Sequence, residues 1–278
     1  VRAGITQEQA AEMLQRGRAT MGRIEDGDAR VRFRDIDVKA MCELYGASQA
    51  ETELLLALTA ETRNGRKKSW WHDYTETALP QWFGLFVSLE DSAETIQQYE
   101  SELVPGLLQT RAYAEQVTNM PSGYIGEEEI QRRVDVRMER QSLLTRPRAP
   151  HLNVVLNEAV IRRPVGGDAV MAEQLDHLLT MTQRAGVSIR ILPWSVGVHG
   201  GMGASSFTVL NFPNDPHTGE PLEPPLVYVD TITGAMYLNK PDEAKAYHLV
   251  WQDLEQRALD PDASNELITA AREGFASA

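Results

Sequence analysis

Part-way along the chain the spacing of apolar residues changes, and that change limits the fold more than any other feature. Up to about residue 145 apolar positions recur at helical intervals. Beyond it come five short runs, HLNVVLN (151–157), VSIRILP (187–193), SSFTVLNF (205–212), PLVYVD (225–230) and AMYLN (235–239). They are rich in β-branched and aromatic residues and bounded by Gly, Pro, Asn or Asp, which is the signature of short strands. A helix expected over 168–184 joins the first two runs into a βαβ-like unit, and VDTITGAM reads as a hairpin. Helices over about 241–258 and 263–273 close the chain. The fold class is α+β: an all-helical N-terminal domain, a helical segment, then a mixed α/β domain with a small sheet.

The first 62 residues read as helices. Thr6 and Gln9 form a capping box that opens one helix, running to about Leu14. A second spans Arg18 to Glu25 and stops at Gly27, and a third spans Asp35 to Tyr45 before Gly46. Ser48 and Glu51 open a fourth. The basic stretch RNGRKKS (63–69) is a linker, dividing the chain into domains at 1–66 and 67–278. After it Trp70, Trp71, Tyr74, Trp82, Phe83 and Phe86 cluster, as packing aromatics or as a base-stacking platform. Helices are expected at about 81–99, 110–119 and 126–145.

Composition excludes several classes. Of 278 residues 42% are hydrophobic and 24% charged, so there is apolar material for a core and no sign of long disorder. No apolar run approaches the ~20 residues that span a bilayer, and no secretory signal is visible. A cytoplasmic protein is expected. The single cysteine, Cys42, lies on an apolar helical stripe and has no intramolecular disulfide partner. The net charge of −13 opposes nucleic-acid binding, yet it is uneven: residues 1–70 hold 12 basic and 11 acidic side chains, the remainder 15 and 29. Local field, screened within ~8 Å at physiological salt, decides steering.

The stretch GITQEQAAEMLQRGRATMGRIEDG (4–27) has the spacing of a helix-turn-helix. Ala11 is the small residue where two helices would cross. Ile5, Leu14, Met21 and Ile24 supply the inward face. Gln7 sits at a helix start, where side chain and amides can meet a phosphate. Arg18, Ala19, Thr20 and Arg23 fall at the outward face of the second helix, where arginine can hold guanine or phosphate and Ala19 or Thr20 can pack on a thymine methyl. The same spacing admits a plain helical hairpin with solvated arginines.

Elsewhere no catalytic set appears. His72 with Asp73, and His177 with Asp176, lack ligand spacing, and His199 and His217 fall in Gly- or Pro-rich loops expected to be exposed. SVGVHGGMGASS is Gly-rich without the order or the Lys of a phosphate-binding loop, and reads as a flexible connection or a ligand lid. In NEAVIRRP, Glu158 with Arg162 and Arg163 makes either a salt bridge or an anion site. With His199 these are the candidate ligand or partner residues. No nucleophile, base and orienting group come together, so no enzyme is expected, and no metal or cofactor.

GITQEQAAEM and MGRIEDG resemble the Xre/Cro-type helix-turn-helix. WWHDY, YESELVPGLLQTRAYA, VVLNEAVIRRPVGG and IRILPWSVGVHGGMG resemble the domain that follows it in actinobacterial regulators, the WhiJ-like or Scr-type antitoxin-like proteins. The resemblance implies a repressor-like protein that binds double-stranded DNA and is modulated by a small protein encoded nearby. A homodimer on two half-sites is expected separately, because one motif buries only ~600–1,000 Å² on DNA. Three features depart from the pattern. The family's first helix, which packs under the other two, is not in the chain, which begins at Val1. Gln15 replaces the usual turn Gly, with Gly17 at the cap position. Gly22 replaces a Ser on the reading face. The expected function is a sequence-specific transcriptional regulator. The alternatives are an antitoxin-like module that binds protein alone, and a small-molecule sensor.

Overall fold

The computed structural model describes residues 5–14, 16–25, 35–47, 81–120, 122–123, 125–214, 223–231 and 234–276, with positions 52 and 56. The chain divides into two compact units, residues 1–73 and 74–278. In the first, α1 (Gln7–Met13), α2 (Arg18–Glu25) and α3 (Asp35–Tyr45) follow the expected apolar spacing. Ala10, Ala11 and Met21 are buried between them, with Ile5, Leu14, Ile24, Met41, Leu44 and Tyr45 packed around. Cys42 is a buried free thiol.

The second unit is one six-stranded mixed sheet with helices on both faces. Its first elements are α4 (Gln81–Ser92), β1 (Thr95–Glu100), α5 (Arg111–Thr118) and α6 (Glu127–Arg140). Next come β2 (His151–Asn157), α7 (Glu158–Arg162), α8 (Asp168–Met181), β3 (Val187–Leu192), the single turn α9 (Gly201–Ala204) and β4 (Phe207–Asn211). β5 (Leu226–Thr231), β6 (Gly234–Leu238), α10 (Pro241–Arg257) and α11 (Pro261–Ala276) complete it. The sheet order is β3-β2-β1-β4-β5-β6. β1, β2 and β3 run parallel, and β4, β5 and β6 continue from β1 as an antiparallel meander. The α8 crossover from β2 to β3 and the β5–β6 hairpin are where the strand signals place them.

The expected single helix over 81–99 is replaced by α4 and β1. Ile96 and Tyr99 are three apart, a helical interval, but on a strand that interval puts them on opposite faces. Ile96 is buried in the core under α4, α8 and α11, and Tyr99 in the core under α10. β2 repeats the pattern: Leu152, Val154 and Leu156 enter the first core, Val155 the second. A sheet covered on both faces reads as a continuous apolar run rather than an alternation.

Local chemistry sets the helix ends. The Thr110 hydroxyl accepts the Tyr113 N–H at 3.3 Å to start α5. α6 has Glu127, Glu128 and Glu129 in its first turn and Arg137 and Arg140 in its last, each sign matching the helix dipole. The buried Gln174 of α8 accepts the Thr110 N–H at 2.8 Å and donates to the Leu108 carbonyl at 2.7 Å, so the loop between β1 and α5 is tied to the helix layer.

SVGVHGGMGASS is a built connection rather than a featureless one. It holds a 3₁₀ turn, Trp194–Val196, and α9. The Gly200 N–H donates to Asp253 of α10 at 2.8 Å. A Cβ on Gly201 would stand 2.6 Å from the Tyr99 ring, whereas one on Gly203, in the same helical turn, would meet nothing within 4 Å. Gly201→Ala is therefore expected to lower stability by about 1–3 kcal/mol through overpacking. Gly203→Ala should be neutral, or raise stability by up to about 1 kcal/mol. Denaturant unfolding of the two variants beside the parent checks this, and equal effects would show that the Tyr99 contact is not the cause.

Candidate functional site

The residues expected to read DNA lie on α1 and α2. Thr6 accepts the Gln9 N–H at 3.2 Å while Gln9 Oε1 accepts the Thr6 N–H at 2.8 Å. This box fixes the start of α1 and so places Gln7 and Glu8 in its first turn. The Gly17 carbonyl accepts the N–H groups of Thr20 and Met21 at 2.8 and 3.1 Å, which starts α2 at Arg18. Arg16 pairs with Asp37, tying the turn to α3.

With Met21 buried, α2 turns Arg18, Ala19 and Arg23 outward, and Thr20 is half-buried. Gln7 lies beside this face: its side-chain oxygen is 3.9 Å from where a Cβ on Gly22 would stand. Arg18 pairs with Glu8 of α1 at 3.3 Å, with 71% and 75% of the two side chains exposed. Arg23 folds back, Nε donating to the Ala19 carbonyl at 3.2 Å and Nη2 to the Thr20 hydroxyl at 3.4 Å. A pair this exposed contributes at most about 1 kcal/mol, so Arg18 exchanges Glu8 for a stronger acceptor at little cost. Gln15, Gly27, the Ser48–Glu51 box, the aromatics at 70–74, His72, Asp73 and His217 lie outside the described residues.

In the second unit the residues singled out from sequence do not converge. Glu158 accepts from Arg162 at 3.3 Å within α7 and from the Trp194 N–H at 3.0 Å. Arg163 pairs instead with Glu102. His199, expected in an exposed loop, is half-buried with its ring 6.1 Å edge-on to Tyr99. Burial lowers its pKa, and Asp253 opposes that. It is half-buried because α9 seats the loop against Tyr99. Among the described residues no group of three or more His, Cys, Asp or Glu is gathered as a metal site.

The second unit instead contains a polar cavity of about 300 Å³ that spacing did not reveal. Its floor is the sheet: Gln98 and Glu100 of β1, Thr208 of β4, Tyr228 and Asp230 of β5. Its cover is Phe83 and Phe86 of α4, Arg137 and Arg140 of α6, and the loop around Val104 and Gly106. It opens at the carboxyl ends of β1 and β5, beside the β1–β4 junction where the sheet changes from parallel to antiparallel. Crevices outside the carboxyl ends of strands at such changes are the usual ligand sites of open α/β sheets.

Arg140 is paired with Glu90 of α4 at 2.8 Å, both buried, and its guanidinium lies 5.2 Å from the Phe83 ring centre and 5.8 Å from that of Phe86. Arg137 donates to Gln109 Oε1 at 2.5 Å and has no carboxylate within 4 Å among the described residues. Burial first, and the like charge of Arg140 second, bring its pKa down to about 10. Glu100 accepts from Gln98 at 2.8 Å and has no cationic partner. Burial pushes its pKa up to about 7 against the hydrogen bonds from Ser206 and Gln98, with Asp230 adding to the rise. The Tyr228 hydroxyl is buried and, apart from a contact with the Asp230 carboxylate, makes no hydrogen bond of ordinary geometry. Burial, then the neighbouring Asp230 carboxylate, holds its pKa far above the usual value.

Two short helices crossing at small residues, with a basic outer face and an α/β unit following in the chain, define a helix-turn-helix protein. Residues 1–55 match a helix-turn-helix domain, and residues 83–270 match a domain of unknown function, DUF5753. The chain belongs to the DUF5753 family. No curated protein and no solved structure matches it. A helix-turn-helix is the mark of a DNA-binding regulator rather than of an enzyme, and no described helix is long and apolar enough to cross a membrane.

A raised carboxyl pKa has a definite sign. An unfolded Glu titrates near 4.3, so between about pH 4 and 7 the native state holds a proton on Glu100 that the unfolded chain releases. The stability from this group is complete below the unfolded pKa and is lost as pH rises through about 7. Between pH 5 and pH 8 the unfolding free energy of the parent should fall by about 2 kcal/mol relative to Glu100→Gln. Urea unfolding of both proteins at the two pH values tests this, and parallel pH profiles would contradict it.

Proposed function

We propose that the protein is a sequence-specific DNA-binding transcriptional regulator, cytoplasmic and acting as a homodimer, with its second unit as the control input. The observation that supports this most is the α1–α2 crossing: buried Ala10, Ala11 and Met21, outward Arg18, Ala19 and Arg23, within a helix-turn-helix match over 1–55. In this reading Gln7 holds a phosphate at the start of α1. Arg18, Ala19, Thr20 and Arg23 face the major groove. The acidic surplus beyond residue 70 repels the DNA backbone and confines contact to the first unit. One motif buries only about 600–1,000 Å² on DNA, so useful affinity calls for two copies on two half-sites. The resemblance to WhiJ-like, antitoxin-like actinobacterial regulators adds a small protein, encoded nearby, as the partner of the second unit.

The Glu8–Arg18 pair favours the other reading, a module that works through protein contact alone. It puts a carboxylate on the face that DNA would approach.

Fluorescence anisotropy on DNA from upstream of the gene, over a salt series, separates the two. Arg18→Ala or Arg23→Ala should weaken binding by about 1–3 kcal/mol if it reads a base, or lower the salt slope by about 1 if it holds a phosphate. Glu8→Gln should strengthen binding up to about fivefold by releasing Arg18. Binding no tighter than to a scrambled duplex, in the parent and in Glu8→Gln alike, would leave the protein-contact reading.

A further inference from the structure

We propose that the cavity over β1 and β5 is a binding site for a small zwitterion, an α-amino acid with an apolar or aromatic side chain. Its ammonium is received by Glu100, its carboxylate by Arg137.

Three groups of the cavity point to such an occupant. Arg137 offers a guanidinium bonded to the neutral amide of Gln109 and, among the described residues, with no carboxylate within 4 Å; the Asp230 carboxylate of the same cavity acts on it only from farther away. Glu100 offers a carboxyl that accepts from Gln98 and Ser206 and, among the described residues, has no cation within 4 Å. Both line the same cavity and do not pair with each other. The Tyr228 hydroxyl, on a side chain only 5% exposed, lines it too without a well-formed hydrogen bond. Arg137 and Glu100 are hydrogen-bonded and lack only a counter-charge in contact, while the buried Tyr228 hydroxyl lacks a well-formed hydrogen bond, which in a native structure calls for a reason. A ligand with one charge would satisfy one end and leave the other as it is. A ligand carrying both charges can serve Arg137 and Glu100 together, beside the Tyr228 hydroxyl that lines the same cavity.

The remaining surface sets the size and the side chain. About 300 Å³ lies at the lower end of small-ligand sites, which run from about 300 to 1,000 Å³. That suits an amino acid and not a nucleotide. Phe83, Phe86, Leu103 and Val117 give the cavity apolar walls. Arg140 already has its counter-charge in Glu90 and serves as wall rather than as a second anion receptor.

The groups facing Glu100 are Asp230 and Tyr228 of β5, Tyr113 of α5, and Arg137 and Arg140 of α6. Tyr113, Tyr228 and Arg137 all titrate far above neutrality, and Glu100 near it. An arriving ammonium stabilises the Glu100 carboxylate, so binding releases a proton from the fraction of molecules in which Glu100 is protonated. Affinity then rises with pH, by about tenfold between pH 6 and pH 8 for a group titrating near 7.

The site is the control input that the regulator reading requires, and its biological role rests on that reading. Its occupancy is measured without DNA, so failure of one does not imply failure of the other. The full-length protein is screened by thermal shift against the standard amino acids, at up to about 10 mM so that millimolar affinities register. The best apolar or aromatic hit is taken to calorimetry at pH 6 and pH 8, beside phenethylamine and phenylpropionate as the ammonium-only and carboxylate-only probes. The expected result is binding of at least one apolar amino acid, at least about tenfold tighter than either single-charge probe. Arg137→Gln should remove the advantage over phenethylamine. Glu100→Gln should remove the advantage over phenylpropionate together with the pH dependence. No amino acid binding to the folded parent would overturn the proposal. So would a single-charge probe binding as tightly as the amino acid, or a hit unaffected by both variants and by pH.

Discussion

The buried ion pair between Glu90 and Arg140 is the interaction on which the second unit's polar interior depends. It joins α4 to α6 at 2.8 Å over the sheet, with the guanidinium against Phe83 and Phe86. The Glu90 pKa is raised, because desolvation by burial outweighs the attraction of Arg140. A buried pair of this kind adds little net stability, since well-packed apolar residues in its place are often neutral or stabilising. What the pair does is positional. It fixes the last turn of α6, one helical turn beyond Arg137, and it shapes the loop below: a Cβ on Gly106 would come within 3.3 Å of the Arg140 guanidinium. That loop is then threaded by side-chain bonds. Gln109 donates to the Val104 carbonyl at 2.6 Å, and Gln141 donates to the Gln109 carbonyl at 2.7 Å. A layer built in this way stands off the sheet and leaves a polar space, where an apolar layer would collapse onto it.

The sheet explains why the space forms where it does. On its other face α10 seats Ala244, Trp251 and Leu254 on Tyr99, Phe207 and Val227. On the cavity face the inner half of β1 is apolar at Ile96, and the outer half turns polar at Gln98 and Glu100. β1 faces a parallel neighbour on one side and an antiparallel one on the other.

Much of this architecture can be read from the sequence, and the failures have physical causes. The five later strands are legible because Val, Ile, Leu, Phe and Tyr crowd into short runs with Gly, Pro, Asn or Asp at their ends. The α1–α2 crossing is legible because Ala11 and Met21 must be small and apolar respectively for two short helices to meet, and both are buried. β1 is not legible. Its buried residues, Ile96 and Tyr99, sit at a helical interval because each serves a different core, and two glutamines lie between them. The available signals were the Asp91-Ser92 pair, where α4 ends, and the β-branched Thr95-Ile96 that follows.

That one misreading hides the cavity as well. With 95–100 on a helix, Glu100 has no reason to face Tyr228, and Arg137 no reason to face either. The residues that sequence did single out, Glu158, Arg162, Arg163 and His199, are chemically rich but already engaged: Glu158 with Arg162 and the Trp194 amide, Arg163 with Glu102, His199 against Tyr99. Charges close together in sequence draw the eye, and closeness is also what lets them satisfy one another. Arg137 and Glu100 come from segments far apart in the chain, brought to one space by the sheet and its cover, and neither has a counter-charge within 4 Å among the described residues. A site left with charge to give is built by the tertiary fold, so the local pattern of the sequence has no means of marking it.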